Sequence, residues 1–339
     1  MSQINIKDVA KEAGVSTATV SRVINGSPSV RRATIQKVNE AIARTNYVPN
    51  ASARSLKTNA TKTVGLLVSD ISNPHFILMS VSIESILNKS GYSVIICNTN
   101  DNPEMELTYL QRLVAMNIDG LIINTTGRID DYICMLSQTT PVVLVDRSIQ
   151  SPTFKGDFVG SNNFDGARSM VSHLLGYGHR RIGFIVSSQK VSTSEERNAG
   201  FATEMKNAGI PIDKDYPYLY SVNSLFEQGG YDGCRYLMGL ETPPTAIAIA
   251  NNVMAIGAYK YCTEKGINIP DQISIVSYST IEHAALFKTY PTYVTLSASY
   301  MGEKAAAAVL SRIANPKINN RESIFEPVLD IHESTRKIL

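Results

Sequence analysis

The sequence is poor in the features that mark a membrane protein, a metalloprotein or an enzyme. Its four cysteines, Cys97, Cys134, Cys234 and Cys262, lie far apart, and no two have the spacing of a metal-ligand or redox pair. They read as small apolar core residues. The longest apolar stretches, such as 119–123 and 245–250, fall far short of the roughly 20 residues needed to span a bilayer. The first residues hold no apolar secretory core, so a cytoplasmic location is expected. No tract is repetitive, and with 43% hydrophobic and 18% charged residues the disordered and collagen-like classes are excluded. Enzyme signatures are also missing. Gly176-Tyr177-Gly178 lacks the third glycine of a dinucleotide loop and precedes a strand instead of following one. There is no Walker phosphate loop, nucleophile elbow or paired-histidine zinc helix, and the five histidines are scattered. The expectation is a protein with no catalytic residues, no metal and no cofactor.

What is present is an uneven charge distribution. The 339 residues suggest two or three domains and carry a net charge of only +2. Residues 1–60 hold nine Lys and Arg against three Asp and Glu, while the other 279 residues hold 23 against 27. A basic head on a mildly acidic body suits contact with a polyanion, although a solvated charge run would look the same.

The head reads as three helices. Ile6, Val9, Ala10 and Ala13 share one face of a short helix that Gly14-Val15 ends. Ser16 is a good N-cap for a second helix, from Thr17 to about residue 25, with Val20 and Val23 turned inward. A third helix runs over about 32–45, with Ile35, Val38, Ala41 and Ile42 inward. Two short helices joined by a glycine turn and completed by a third form a helix-turn-helix. The second helix would enter the major groove with Thr17, Ala18, Ser21 and Arg22 outward. Arg can grip guanine with two hydrogen bonds and Ala can touch a thymine methyl. Ser16, Thr19, Ser21 and Thr34 can donate to phosphates and fix the register.

The body, from Lys62 onward, alternates β-rich runs with amphipathic helices. Strands are expected at 63–68, 92–97, 120–124, 142–145, 181–186, 245–250 and 272–277. Helices are expected at 76–89, 104–116, 164–175, 199–208, 226–240, 253–265 and 301–314. Strand-helix alternation means parallel sheets with right-handed crossovers, and some 280 residues exceed one open sheet. The fold class is therefore α/β, with two doubly wound lobes and a ligand crevice at the strand carboxyl ends.

Several runs carry a resemblance. The stretch from Asp8-Val9-Ala10-Lys11-Glu12-Ala13-Gly14-Val15-Ser16 through Thr17-Ala18-Thr19-Val20-Ser21-Arg22-Val23-Ile24-Asn25 resembles the headpiece of the lactose-repressor/galactose-repressor family of bacterial transcription regulators. So does Tyr47-Val48-Pro49-Asn50-Ala51-Ser52-Ala53-Arg54-Ser55-Leu56. In the body, Ser72-Asn73-Pro74-His75-Phe76, the run from Gly178 to Ile185, Arg197-Asn198-Ala199-Gly200-Phe201 and the run from Ala250 to Gly257 are similar to the family's effector-binding core, which is shaped like a periplasmic sugar-binding protein. The chain departs after Thr34, where Ile35 stands in place of the usual Arg.

The resemblance implies a headpiece at 1–48, a hinge at 49–61 and an effector-binding and dimerisation core at 62–339. The first lobe would cover about 62–161 and 292–320, and the second about 162–291 and 321–339. DNA contacts would also come from Asn25, Asn50, Ala53, Arg54 and Lys57, with Leu56 wedging into a minor-groove step and bending the duplex. His75, Phe76, Asp146, Arg197, Asn251 and Ser279 match positions that line the effector cleft. Taken alone, Phe76 also suits plain core, Asp146 could pair with Arg147, and His179 reads as structural. Ser279 and Asn252 stand where the family usually has Asp, while Arg197 remains. A guanidinium short of its acidic counterweight suits an acidic effector, such as a sugar acid or phosphorylated sugar. The resemblance thus implies a repressor of carbohydrate or sugar-acid catabolism genes that binds a pseudo-palindromic operator as a homodimer. A corepressor-dependent regulator and a stand-alone sugar-binding protein remain the alternatives. No leucine heptad follows the last strand candidate, so a coiled-coil tetramer is not expected.

Overall fold

The structure, a computed structural model, describes residues 4–24, 26–47, 60–222 and 226–338. The chain divides into two compact units, Met1–Thr61 and Lys62–Leu339. In the first, α1 (Ile6–Ala13) starts on a reciprocal cap: Asn5 Oδ1 accepts the Lys7 amide at 2.9 Å, and Asp8 Oδ2 accepts the Asn5 amide at 2.8 Å. Gly14 ends it at φ 64°, a conformation that disfavours any residue with a Cβ. Ser16 opens α2 (Thr17–Ile24), its Oγ accepting the Thr19 amide at 3.2 Å. Helix α3 (Arg32–Thr45) closes the unit. Val9, Ala10, Val20, Val38 and Ala41 form the buried centre, and Ile35 packs outside that cluster, half-buried.

The second unit holds two six-stranded sheets. The first contains β1 (Thr63–Val68), β2 (Ser93–Asn98), β3 (Gly120–Ile123), β4 (Val142–Val145), β5 (Gly156–Ser161) and β11 (Glu322–Phe325). Its order is β11-β5-β4-β3-β1-β2 and every pairing is parallel. The second contains β6 (Ile182–Ser187), β7 (Leu219–Val222), β8 (Ala246–Ile249), β9 (Ser274–Tyr278), β10 (Thr292–Thr295) and β12 (Val328–Asp330). Its order is β12-β10-β9-β8-β6-β7, parallel except where β12 joins β10. Each lobe is thus the same doubly wound unit, with its strand order reversing beside the first strand of the lobe.

Helices cover both faces. Lobe 1 carries α4 (Pro74–Lys89), α5 (Pro103–Ala115), α6 (Asp130–Leu136) and α11 (Ala298–Ala314). Lobe 2 carries α7 (Asn163–Gly176), α8 (Ser192–Asn207), α9 (Glu227–Met238) and α10 (Asn252–Lys265). Strands buried on both faces are continuous apolar runs, as in Val142–Val145 and Ala246–Ile249, where every residue is buried. All four cysteines are buried, as expected.

Two of the expected lobe boundaries move. β10 pairs with β9, so the second lobe runs past residue 291 to about 296. β11 pairs with β5, so the first lobe keeps 322–325 and the last crossing lies near 326 instead of 321. The reason for the second shift is electrostatic. Asp157 on β5 is buried between Arg312 of α11 and Arg321, each at 2.6 Å, which holds the approach to β11 onto lobe 1.

Candidate nucleic-acid interface and effector cleft

On the headpiece, Ser16, Thr17, Ala18 and Arg22 are exposed, and Thr19, Ser21 and Thr34 are half-buried. The capping geometry explains the exposure. Val20 points down into the three-helix core, so the start of α2 turns its polar face outward. Ser16 Oγ also lies 2.9 Å from Thr19 Oγ1, which ties both hydroxyls to the helix start. A face with an exposed guanidinium, a methyl and several hydroxyls can read base edges and grip phosphates. Asn25, Asn50, Ala53, Arg54, Leu56 and Lys57 lie outside the described residues.

In the core, the carboxyl ends of both sheets converge on one cleft lined by Asp70, Asn73, His75, Phe76, Asp146 and Arg147 from lobe 1 and by Thr193, Arg197, Phe226, Asn251, Asn252 and Ser279 from lobe 2. The six effector residues expected from the sequence are therefore brought together. Asp146 follows β4 and Ser279 follows β9, the equivalent strand of the other lobe. Both hold a left-handed backbone without being glycine, at φ 63° and 71°. Such strain, of order 1–3 kcal/mol per residue, is kept where it aims a side chain.

Asp146 is buried and accepts Asn124 Nδ2 at 3.3 Å. It does not pair with Arg147, whose guanidinium instead meets Asp101 at 2.5 Å and the Thr125 carbonyl at 2.9 Å. Arg197 lies with its guanidinium carbon 3.9 Å from the centre of the Tyr278 ring. Its Nε donates to Asn163 Oδ1 and one terminal nitrogen to the Ala250 carbonyl, both at 2.9 Å. Both acceptors are neutral. Glu196 is engaged one step away, accepting Asn163 Nδ2 at 3.0 Å.

His75 stands edge-on to Phe76, ring centres 5.3 Å apart, and its Nε2 has no hydrogen-bond partner among the described residues. Burial holds the imidazole pKa below its usual value against the pull of Asp146, with Arg197 adding to the lowering, so this histidine is neutral at pH 7. Phe76 both lines the cleft and packs into the lobe 1 core, so its two readings are compatible. Asn251 Oδ1 caps α10 by accepting the Met254 amide at 2.7 Å. His179 is structural: fully buried, with Nδ1 2.8 Å from Thr245 Oγ1 and Nε2 3.0 Å from the Arg336 carbonyl.

Sequence reasoning did not name Phe226, Thr193, Asp70 or Asn73 as cleft residues, and it noted Asn252 only as a position where the family usually has Asp. Phe226 is an exposed aromatic at the entry to α9, which is the signal that could have found it.

A helix-turn-helix unit joined to a two-lobed core of the periplasmic binding type defines a ligand-responsive, DNA-binding transcription regulator. Residues 5–50 match the family model for bacterial regulatory proteins of the lacI family, and residues 171–335 match that for periplasmic-binding-protein-like domains. The chain is 34% identical over 336 residues to the HTH-type transcriptional repressor PurR of Mannheimia succiniciproducens, with 98% of this chain and 99% of that protein covered. It is 36% identical over 341 residues to the protein of the same name from Haemophilus influenzae, with the same coverage. Among solved structures, the lac repressor dimer bound to operator and the anti-inducer ONPF superposes with a TM-score of 0.85 at 25% identity, covering 99% of this chain and 100% of that one. The regulator CelR in complex with cellobiose gives 0.73 at 25% identity, covering 98% and 99%. The chain belongs to the lacI family of bacterial regulatory proteins. It is a DNA-binding repressor with an effector-binding core, and its relatives are transcriptional repressors, not enzymes. No helix among the described residues is long and apolar enough to cross a membrane.

Proposed function

We propose that this protein acts in the cytoplasm as a homodimer that silences genes at a pseudo-palindromic operator, with a small-molecule effector bound between the lobes setting its affinity for DNA. One short reading helix per chain makes few base contacts, and two-fold symmetry doubles them. The observation that carries the effector reading is that Asp146 and Arg197, from different lobes, line one cleft together with Phe76 and Phe226. Aromatic faces stack on a flat or chair-shaped ring, the carboxylate takes ring donors, and the guanidinium takes an acceptor. A neutral ring compound with both donor and acceptor groups fits this set, because Asp70 and Asp146 oppose a second negative charge. The second reading is a sugar acid or phosphorylated sugar, as for a regulator of carbohydrate catabolism. It is favoured by the two neutral acceptors of Arg197, which leave the guanidinium charge uncompensated by direct pairing. Among the full-length relatives above, neither name mentions a carbohydrate, whereas CelR was solved with cellobiose.

The test is a thermal-shift and calorimetric screen of the full chain against nucleobases, neutral sugars, aldonates and sugar phosphates. A ligand selective for the native state raises the unfolding midpoint. The hit is then added to the protein on a duplex obtained by selection from random DNA. Linkage is reciprocal, so an effector that weakens operator binding must itself bind less well to the protein–DNA complex. Binding of duplex without sequence preference would sink the repressor reading. Tight binding of an acid with no binding of its neutral counterpart would decide for the second reading of the cleft.

A further inference from the structure

Two helix N-termini meet across the cleft. Asn73 caps α4 in lobe 1, its Oδ1 accepting the His75 amide at 3.0 Å. Asn252 is the first residue of α10 in lobe 2, with only 2% of its surface exposed. Their side chains bond reciprocally: Asn252 Nδ2 donates to Asn73 Oδ1 at 3.1 Å, and Asn73 Nδ2 donates to Asn252 Oδ1 at 3.4 Å. Two carboxamides can do this because each has a donor and an acceptor. An aspartate at position 252 could only accept. A second bond also crosses between the lobes, from the Ser148 amide to Ser192 Oγ at 2.9 Å. With both in place the cleft encloses only about 60 Å³ of free space. That is room for a few waters, so a ring-sized ligand needs the lobes to part or side chains to move.

We propose that Asn73 and Asn252 form an amide latch that favours the closed arrangement of the two lobes. The inference rests on the reading of the core as a two-lobed effector switch and adds what sets its resting position. Bonds made only in the closed arrangement have to break whenever the lobes part. The latch therefore fixes how much of the effector's binding energy remains to shift the equilibrium.

The Ser148 amide is a built-in reporter, because its partner sits on the other lobe. The Asp146 amide is the matching control, because it donates to the Val159 carbonyl at 2.9 Å within lobe 1. Hydrogen exchange resolved to single residues would be measured on the full chain, on Asn252→Ala and on Asn252→Asp. Far-UV circular dichroism and the unfolding midpoint would show that the variants are folded. Asn252→Ala is expected to speed exchange at Ser148 about tenfold and to leave Asp146 unchanged, as fits the loss of two modest hydrogen bonds. Asn252→Asp keeps an acceptor for Asn73 Nδ2 and should fall between the two. Unchanged exchange at Ser148 in Asn252→Ala overturns the latch. So does equal acceleration at Ser148 and Asp146, or equal acceleration in both variants. The measurement uses neither DNA nor effector, so its failure leaves the repressor reading standing, and the reverse also holds.

Discussion

At the scale of single residues, charge and protonation decide the outcome. Arg22 is exposed on the reading helix, so Arg22→Ala is expected to cost about 1–3 kcal/mol on the selected duplex and to relax preference at one base position. Titration on selected and scrambled duplexes checks this, and an equal loss on both would make Arg22 a phosphate contact. In the cleft, Arg197→Ala should weaken effector binding at least tenfold by calorimetry, since a charge-assisted pair contributes about 1.5–3 kcal/mol. The histidines add a pH dependence. Burial lowers the folded-state pKa of His75, His173 and His179 below 6.5. Their neutral burial stabilises the fold above pH 6.5, and that contribution is lost as pH falls from about 6.5 toward the folded values. The slope can reach about 1.4 kcal/mol per pH unit for each proton taken up on unfolding. Glu106 and Glu196 act oppositely. Burial raises both, so their neutral forms favour the fold as pH drops toward 4.5. The histidine effect sets in as pH falls below about 6.5. There His179→Asn should flatten the fall in unfolding midpoint relative to the parent chain, and equal slopes would show that His179 takes up no extra proton on unfolding.

Elements pack where small residues let backbones touch. Helices α9 and α10 cross at Gly230 and Gly257. A Cβ on Gly257 would lie 1.9 Å from the Glu227 carbonyl oxygen, and one on Gly230 would lie 1.7 Å from that of Met254. Backbone atoms cannot step aside as side chains can, so Gly257→Ala should destabilise the core by about 3 kcal/mol, read by denaturant unfolding. The effect would reach the cleft, because Phe226 precedes α9 and Asn251 caps α10. Element boundaries were readable where an apolar run or a cap announced them. Strand β1 and helix α3 fall where the pattern of apolar residues puts them. Strand β5, Gly156-Asp157-Phe158-Val159-Gly160-Ser161, was not readable. Two glycines and a buried aspartate give it little strand propensity, and it forms because β4 and β11 flank it and two arginines neutralise Asp157. Helix α8 begins at Ser192, seven residues before its apolar face shows, because its first turns are the polar run Ser192-Thr193-Ser194-Glu195-Glu196, of which Thr193 lines the cleft.

For the whole molecule, the expectation is a dimer that meets DNA with two headpieces. Sedimentation of the DNA-free protein at micromolar concentration should give twice the chain mass, and a strict monomer or a stable tetramer would count against that arrangement. Salt dependence supplies a second measure. Phosphate contacts release counterions, so log affinity should fall steeply and linearly with log salt for both selected and random duplexes, in contrast to effector binding by a neutral ring. The lac repressor dimer on its operator, which this fold superposes on, shows that the family's architecture supports such an assembly.

The sequence by itself determined the class of this protein. Local signals sufficed, because a capped helix, a glycine turn, an exposed arginine and a run of buried strand residues are each written within a few neighbours. Through the resemblance of short runs to a family, it also pointed to the six residues that line the cleft. What only the tertiary structure decided is how those residues are used. Asp146 is kept from Arg147 because Asp101, 46 positions away, takes that arginine first. Arg197 is held by Asn163 and a carbonyl after β8. Asn73 meets Asn252 across 179 positions of chain. Each of these depends on two lobes folding separately and closing on one another, and the geometry of that closure is set by packing between distant segments, which no local pattern records.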